Sequence, residues 1–263
     1  MEIVPADRPD AFLLRLDGMD QSVVDLADPR RLVFEYVRRI GDVIDAGAPP
    51  GEPVRILHVG GAALTLPRYV AATRPRSAQI VLEPDAELVE RVRAELPLPA
   101  RSGIKIRVAG GRTGIAGVRD GAVDLVVVDA FADGRMPADL TPAVFWQEVA
   151  RVLAPHGHLV ANLVDRAPFP HARRVLAGIR EHLPELVTTA EPATLRGRRQ
   201  GNLVVVAGRL PGDGIAAALQ GPAARSGAPY RVLDAAATSD TLGGGRPFTD
   251  ADAMPGPAPE RAR

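Results

Sequence analysis

The 263-residue sequence contains no cysteine and only one lysine. The absence of cysteine excludes disulfide bonds, thiolate metal ligands and a cysteine nucleophile, and it fits a reducing compartment. The one lysine, Lys105, lies between two isoleucines in a predicted strand. A Walker A phosphate-binding loop requires a lysine after its glycines, so it is excluded, and a Schiff-base lysine is disfavoured.

The sequence has no excess of charge of either sign, with 32 basic and 32 acidic residues. Extended contact with nucleic acid or with an anionic membrane rests on a surplus of Lys and Arg, so both partners are disfavoured. The first residues, MEIVPADRPDAF, have neither the basic start nor the apolar stretch of a signal peptide. No later apolar run approaches the roughly 20 residues that span a membrane. We therefore expect a soluble protein in the cytoplasm.

Motifs for serine hydrolysis and for metal binding are also missing. None of the five serines lies in a G-x-S-x-G motif, which argues against a serine hydrolase. His156 and His158 flank a single glycine at a strand start without further ligands at helical spacing, so we expect no metal site. The basic run RGRRQG at 196–201 is interpreted as a solvated hairpin tip.

What the sequence does contain is 46% hydrophobic residues, enough for the core of one α/β domain with small additions. Asp17 and Gly18 lie between two short apolar runs, a pattern that predicts a β-hairpin at the start of the chain. Asp28 as N-cap, Pro29 at the first helical position and Gly47 past the end predict the first long helix.

From residue 54 onward, strand patterns alternate with helical patterns, which predicts a parallel sheet with helices on both faces. The predicted strands cover residues 54–59, 78–83, 104–108, 122–129, 158–164, 185–190 and 202–208. The predicted helices between them cover residues 64–73, 85–96, 141–153 and 169–183. The link 191–201 is too short for a parallel crossover, so the last strand is predicted to run antiparallel.

A mostly parallel seven-stranded sheet with an antiparallel last strand resembles the Rossmann-like fold of S-adenosylmethionine-dependent transferases rather than that of NAD dehydrogenases. We expect an N-terminal β-hairpin region (1–27), a Rossmann-like transferase domain (28–234) and a flexible C-terminal tail (235–263). The tail has few large apolar residues and much Gly and Pro, a composition typical of mobile segments.

Three features are predicted to meet at the carboxyl ends of the parallel strands, where open α/β sheets bind ligands. Gly60 and Gly61 follow the strand 54–59, and their missing side chains let a ligand approach the backbone and the next helix. Glu83 ends the following strand, near the position of an acid that binds ribose hydroxyls. Asp129 and Asp133 follow the apolar run 125–128. Together these residues favour a ligand that contains a nucleoside, and the lack of a full G-x-G-x-x-G pattern disfavours NAD and FAD.

Each of these features also has a structural interpretation. The two glycines fit a tight turn, Glu83 fits a solvated strand end or a helix cap, and Asp129 fits a cap or a turn. Phe145 and Trp146 fit core packing, with stacking on a base near the crevice as the alternative.

Several segments follow one another in an order known from one enzyme family: LLRLDGMDQSVV, ILHVGG, VLEPD, VDLVVVDAFADGRMPADLTPAVFWQEVARVLAPHGHLVANL and RPFTDADA. In this order they resemble the spermidine synthase family of polyamine aminopropyltransferases, over about residues 12–250. The resemblance implies a small N-terminal β-region followed by a Rossmann-like domain. It also implies transfer of an aminopropyl group from decarboxylated S-adenosylmethionine, a co-substrate rather than a tightly bound cofactor, to a polyamine such as putrescine, with release of methylthioadenosine.

The resemblance also implies roles for individual residues. Asp129 is expected to accept the proton of the attacking amine, and Asp133 to bind the cationic groups of the diamine. Gln21 matches a glutamine near the nucleoside, and Glu83 matches the acid on the ribose hydroxyls. The family commonly forms dimers, so we expect a homodimer.

The sequence departs from the family pattern in four places. The family's Gly-rich turn carries an acid that contacts the aminopropyl amine of the donor, whereas residues 60–63 read GGAA. Gly111 stands where the family has an acid near the adenine. Asp129 and Asp133 are four positions apart, whereas the family's two acids are three apart. The tyrosine that lines the family's diamine site has no counterpart in register, although Tyr36 lies close by.

We therefore predict a divergent spermidine synthase-like transferase, with two alternatives. A methyltransferase that uses intact S-adenosylmethionine is favoured by the missing acid in the Gly-rich turn. A non-catalytic nucleoside-binding homologue that kept the fold while its site decayed is favoured by the four departures, and the retention of Asp129 argues against it.

Overall fold

The chain, described in a computed structural model over residues 1–209 and 214–260, forms two β-sheets with helices around the larger one. The small sheet lies at the N-terminus and is antiparallel, and the large central sheet is mostly parallel. The predicted α/β class with an N-terminal hairpin is therefore confirmed.

The N-terminal sheet consists of β1 (Glu2–Pro5), β2 (Ala11–Leu16) and β3 (Met19–Asp25), paired in that order. β2 and β3 meet at Asp17 and Gly18, whose φ angles are 49° and 77°. Positive φ at both central residues is what a two-residue type I′ turn requires. The hairpin predicted from the Asp-Gly pair is therefore confirmed, and β1 is a strand that the sequence pattern does not predict.

The central sheet contains eight strands among the described residues: β4 (Arg55–Val59), β5 (Ala78–Glu83), β6 (Ile104–Val108), β7 (Val123–Val128), β8 (Leu153–Asp165), β9 (Glu185–Ala190), β10 (Gly201–Gly208) and β11 (Arg231–Leu233). Their order across the sheet is β11-β9-β10-β8-β7-β4-β5-β6. β10 runs antiparallel to both of its neighbours, as predicted. The prediction of seven strands misses β11, an edge strand antiparallel to β9 that is too short to show a period-two pattern.

The helices of the described chain are α1 (Glu35–Ala46), α2 (Thr65–Thr73), α3 (Ala86–Glu95), α4 (Gly111–Ala116), α5 (Ala143–Val152), α6 (Pro170–Arg180), α7 (Pro192–Leu195), α8 (Ile215–Arg225) and α9 (Ala235–Leu242). α1, α2 and α8 cover one face of the central sheet. α4, α5 and α6 cover the other face, and α3 packs near the N-terminal sheet. The sequence pattern does not predict α4, α7, α8 or α9.

The first long helix begins at Glu35 rather than at Pro29, and Asp28 is not its N-cap. The Asp25 carboxylate instead accepts the N–H groups of Ala27 at 3.2 Å and of Asp28 at 2.9 Å. Such local bonds from a side chain to the backbone compete with helix formation. The hydrogen bonds of Asp25 form a bend at the residues where the sequence pattern predicts the start of the helix.

Residues 235–260 are packed against the domain, which differs from the expected flexible tail, and residues 261–263 of that expected tail lie outside the described residues. The packed segment begins with α9, and Phe248 is 0% exposed. The Phe248 carbonyl accepts the Ala143 N–H at 2.9 Å, at the start of α5. Arg112 in α4 donates two hydrogen bonds to the Asp250 carboxylate, at 2.5 and 2.9 Å. One buried aromatic ring and a few hydrogen bonds hold this segment in place, although its composition alone predicts mobility.

Candidate functional site

Two neighbouring spaces lie at the carboxyl edge of the central sheet. The open cleft, bordered among others by Asp17, Glu83 and Asp133, has a volume of about 420 Å³. The inner chamber, bordered among others by His58 and Thr65, has a volume of about 40 Å³ and lies between β3, the start of α1 and the sheet. The residues that border both spaces are Gln21, Tyr36, Gly60, Gly61, Ala62 and Asp129.

Asp129 lies where the two spaces meet. Its N–H donates to the Val59 carbonyl at 3.0 Å and so continues the pairing of β7 with β4. Because side chains alternate along a strand, Asp129 shares the sheet face of Val127, which α1 and α2 cover. Asn162 Nδ2 donates to Asp129 Oδ1 at 2.9 Å, and Asn202 Nδ2 donates to Asn162 Oδ1 at 3.0 Å. This chain of amides fixes the orientation of the carboxylate.

Burial raises the pKa of Asp129 to about 6, and the hydrogen bond from Asn162 limits that rise. The carboxylate is therefore ionised at neutral pH and binds a proton more tightly than an aspartate in water does. A pKa close to the working pH is the property that a general base requires.

Tyr36, at the start of α1, borders both spaces beside Asp129. Burial, and to a smaller extent the negative charge of Asp129, raise the pKa of the Tyr36 hydroxyl well above its usual value. The phenol therefore stays protonated and can donate a hydrogen bond. Its ring stacks on Phe34 with the centroids 6.2 Å apart, which restricts the position of the hydroxyl.

Glu83 ends β5 and joins it to the loop that follows β4. Its Oε2 accepts the N–H groups of Gly61 at 3.0 Å and Ala62 at 3.3 Å, and its Oε1 accepts the Asp85 N–H at 3.2 Å. A carboxylate offers about four lone-pair sites, so acceptor capacity remains for hydroxyl groups of a ligand in the open cleft.

At Gly60 the backbone of the loop after β4 lies close to the backbone at the end of β7. The φ angle of Gly60 is 94°, and a Cβ built on it would lie 2.3 Å from the Asp129 carbonyl oxygen. A Cβ on Gly61 would lie 2.9 Å from Val81 Cγ1. Glycine is therefore required where the loop after β4 crosses the end of β7.

The remaining predicted site residues also lie at these spaces. Gln21 on β3 borders both of them, while Gly111 at the start of α4 and the exposed Asp133 border the open cleft. The structure thus brings together all eight residues selected from the sequence. Their individual roles stay predictions.

His58 and Asn162 belong to the site although the sequence patterns did not single them out. Each is a lone polar residue near the carboxyl end of an apolar strand, and both are about 1% exposed. A buried polar side chain in an apolar strand is costly unless it is hydrogen-bonded, and this was the signal in ILHVGG and HLVANLV. Phe145 and Trp146, by contrast, pack in the core with ring centroids 4.9 Å apart and border neither space.

Across residues 1–209 and 214–260, no group of three or more His, Asp or Glu side chains is placed to hold a metal ion. In the same part of the chain, no helix combines the length and the apolar character needed to cross a membrane.

No family model matches the sequence. The chain is similar to a probable spermidine synthase from Corynebacterium glutamicum, with 30% identity, a TM-score of 0.86, and coverage of 95% of this chain and 92% of that one. It also shares its fold with human methyltransferase-like protein 13 in complex with SAH, at 22% identity, a TM-score of 0.60, and coverage of 83% and 96%. The polyamine aminopropyltransferase of Chromobacterium violaceum is 27% identical over 143 residues, which span 54% of this chain and 53% of that relative.

Proposed function

The chain belongs to the spermidine synthase family, and on this premise we propose that it transfers an aminopropyl group from decarboxylated S-adenosylmethionine to an amine such as putrescine. The observation that carries this proposal is the position of Asp129 at the border between the open cleft and the inner chamber. A base at that border can reach an amine in the chamber while the amine attacks a donor in the cleft.

The chemistry requires a base because a protonated amine has no lone pair for attack. Asp129 accepts a proton from the amine, which frees the lone pair of the nitrogen, and this lone pair then forms the new N–C bond at the carbon attached to sulfur. The C–S bond of the sulfonium breaks, and its electron pair stays on sulfur, so the donor leaves as the neutral thioether methylthioadenosine. In this proposal Tyr36 and Asp133 bind the amine, and Asp133 supplies a negative charge for a cationic nitrogen.

The open cleft takes the nucleoside of the donor in this proposal. The backbone at Gly60 and Gly61 is open to a ligand, Glu83 accepts the ribose hydroxyls, Gln21 lies near the nucleoside, and Gly111 leaves space at the adenine end. Family membership and the position of Glu83 in the cleft support this placement.

Product analysis tests the proposal directly. Incubation of the folded protein with decarboxylated S-adenosylmethionine and putrescine is expected to yield spermidine and methylthioadenosine in equal amounts. Absence of both products contradicts the transfer activity. If methylthioadenosine also fails to raise the melting temperature at millimolar concentration, the result favours a non-catalytic homologue with a decayed site, because binding to the native state must stabilise it.

A comparison of donors tests the second candidate, a methyltransferase, which is favoured by the lack of an acid in residues 60–63. Calorimetry is expected to show at least tenfold tighter binding of the decarboxylated donor than of intact S-adenosylmethionine. The opposite preference, with methyl transfer to an acceptor, supports the methyltransferase instead.

Glu83→Gln is expected to raise the Kd for methylthioadenosine by about 10-fold to 100-fold, the loss of a hydrogen bond to a charged group. The amide keeps the shape of the side chain but replaces one accepting oxygen with a donor. Calorimetric titration measures the change. Glu87→Gln is the matched control, because Glu87 is an exposed acid in the first turn of α3 that borders neither space. Equal affinities for Glu83→Gln and the control contradict the assigned role of Glu83.

Asn162→Leu is expected to move the acid limb of the pH profile of kcat/KM to higher pH. The unmodified enzyme should lose activity as the pH falls through about 6, where Asp129 takes up a proton. The hydrogen bond from Asn162 holds the pKa of Asp129 down, so its removal must raise that pKa. Asn202→Ala should cause a smaller shift, because Asn162 Nδ2 still reaches Asp129. A limb that stays in place or moves to lower pH contradicts the positioning role of Asn162.

A homodimer and a cytoplasmic location complete the proposal; the dimer rests on the family resemblance, and the location rests on the lack of cysteine, which fits a reducing compartment. Light scattering during size-exclusion chromatography tests the oligomeric state, and a mass of one chain at micromolar concentration contradicts the dimer.

A further inference from the structure

Asp133 and Gly134 form the tip of a tight turn beside the open cleft. The Ala132 N–H donates to the Arg135 carbonyl at 2.9 Å, and the Arg135 N–H donates to the Ala132 carbonyl at 3.0 Å. The φ angles of Asp133 and Gly134 are 51° and 69°, the combination that a two-residue type I′ turn requires. A short hairpin of this kind is marginally stable by itself in water. The position of the exposed Asp133 carboxylate at the cleft therefore depends on what holds the turn.

Residues 256–260, which we call the C-terminal strap, are hydrogen-bonded to the base of this turn. The Gly256 N–H donates to the Met136 carbonyl at 2.9 Å. Arg135 Nε donates to the Gly256 carbonyl at 2.7 Å. Met136 and Gly256 are both buried, and a hydrogen bond in a buried environment is electrostatically stronger than one in water. The two bonds therefore fix the base of the turn against the strap.

The tip of the turn is packed between the strap and the N-terminal sheet. A Cβ built on Gly134 would lie 2.6 Å from Pro259 Cγ and 3.2 Å from Met19 Sδ. Met19 is the first residue of β3 and also borders the open cleft. A displacement of the strap would remove the contact of Pro259 with Gly134, and it would free the neighbouring Asp133 to move.

Gln200 fixes the far end of the strap. Its Nε2 donates to the Ala258 carbonyl at 2.9 Å, and its Oε1 accepts the Glu260 N–H at 2.9 Å. The Gln200 N–H donates to the Glu260 carboxylate at 3.2 Å, and the same carboxylate pairs with Arg166 at 2.8 Å. Gln200 lies in the basic run 196–201 and borders neither the open cleft nor the inner chamber. Nothing in the chemistry described above uses these bonds.

We propose that Gln200 is a positioning residue for the amine substrate: through the C-terminal strap it holds the turn at Asp133 where the carboxylate pairs with a cationic nitrogen of the amine. Gln200 acts through the strap and the turn rather than by contact with the substrate. This inference rests on the proposed aminopropyl transfer. It adds to that proposal a set of contacts outside the cleft that determines the affinity for the amine.

Gln200→Ala tests the inference, because it removes both side-chain bonds to the strap and leaves the residues of the cleft unchanged. With decarboxylated S-adenosylmethionine as the donor, the KM for putrescine is expected to rise by about 3-fold to 10-fold, as for the loss of one hydrogen bond between neutral groups. The kcat at saturating putrescine and the KM for the donor should stay within about twofold, because a displaced turn affects amine binding rather than the chemical step.

Arg199→Ala is the matched control for Gln200→Ala. Arg199 lies in the same basic run, and its side chain pairs with Glu191 rather than with the strap. The KM for putrescine should therefore stay unchanged in this variant. A role of Gln200 in stability alone would lower the melting temperature of Gln200→Ala without a change in the KM for putrescine, and that result overturns the inference.

A double-mutant cycle with Asp133→Asn shows whether Gln200 acts through Asp133. Asp133→Asn alone should raise the KM for putrescine by about 10-fold to 100-fold, as for the loss of a hydrogen bond to a charged group. In this background, the further change Gln200→Ala should alter the KM by less than about twofold. A fully additive rise in the double variant overturns the inference and leaves the proposed function intact.

If the unmodified protein transfers no aminopropyl group, the proposed function fails, and hydrogen exchange tests the positioning of the turn separately. The Ala132 and Arg135 amides should exchange about 3-fold to 10-fold faster in Gln200→Ala than in Arg199→Ala, because their mutual bonds depend on the strap. Amides of β7 should exchange equally in the two variants. Equal exchange of the turn amides overturns the inference.

Discussion

Replacement of Asp129 by asparagine is expected to lower kcat for aminopropyl transfer by about 10²-fold to 10⁴-fold, the contribution of a positioned general base. The amide has the same shape and can still accept the hydrogen bond from Asn162 Nδ2 through its oxygen, but it cannot take up a proton. The Kd for methylthioadenosine should change little, because Glu83 and the glycine loop bind the nucleoside in the proposed arrangement. Steady-state kinetics and calorimetry on the same preparation separate the two effects.

The same substitution should not destabilise the protein at neutral pH. The pKa of Asp129 is about 6 in the folded state and near its usual value of 3.8 in the unfolded chain. The folded state therefore holds the proton more tightly, and ionisation of Asp129 costs stability that is regained as the pH falls from 6 towards 4. Asparagine carries no such cost, so the melting temperature of Asp129→Asn should equal or exceed that of the unmodified protein at pH 7.5. The difference should shrink near pH 4.

Asp124→Asn is the control for the measurements of kcat and of the melting temperature. Asp124 lies on the same strand, β7, and its side chain bonds to Arg55 rather than bordering either space. Its replacement removes a negative charge from the strand without touching the site, so kcat should stay within about twofold. Retention of full activity in Asp129→Asn, or an equal loss in both variants, contradicts the assignment of Asp129 as the base.

The sequence predicts the central sheet well because its strands are buried on both faces and read as continuous apolar runs. For the same reason Asp129 stands out, since a carboxylate directly after such a run is unusual. The glycines at 60 and 61 could be placed beside it because the carboxyl ends of neighbouring parallel strands meet at one edge. The central sheet and these site residues could be predicted because they depend on the local hydrophobic pattern and on the order of the strands.

Other features depend on contacts between distant residues, which a pattern does not reveal. The start of α1 is set by the Asp25 carboxylate rather than by the capping sequence at Asp28. The C-terminal segment is fixed by Phe248, whose burial requires the start of α5 as a partner. The hydrogen-bond partner of the buried His58 is Gln79, which lies on the next strand of the sheet.

Gly60→Ala is expected to lower the free energy of unfolding by about 3–5 kcal/mol, the sum of a strained backbone and an overpacked site. The added Cβ would lie 2.3 Å from the Asp129 carbonyl oxygen and 3.0 Å from the Ala130 Cα. These are backbone atoms, so no side chain can rotate away to make space. Relief of the contact must shift Asp129 itself, and activity should fall more than stability alone explains. Urea denaturation measures the first effect, and kcat at a temperature well below the melting point measures the second.

Gly51→Ala separates the stability loss caused by backbone strain from the loss caused by overpacking. Gly51 also has a positive φ, 77°, but a Cβ there would meet no atom within 4 Å. Alanine at this position carries only the backbone cost of about 1–2 kcal/mol and should leave kcat unchanged. If Gly60→Ala loses no more stability than Gly51→Ala and keeps its activity, the loop after β4 is not tightly packed against the end of β7. The placement of Asp129 at the border of the two spaces, on which the proposed chemistry depends, would then lack its structural support.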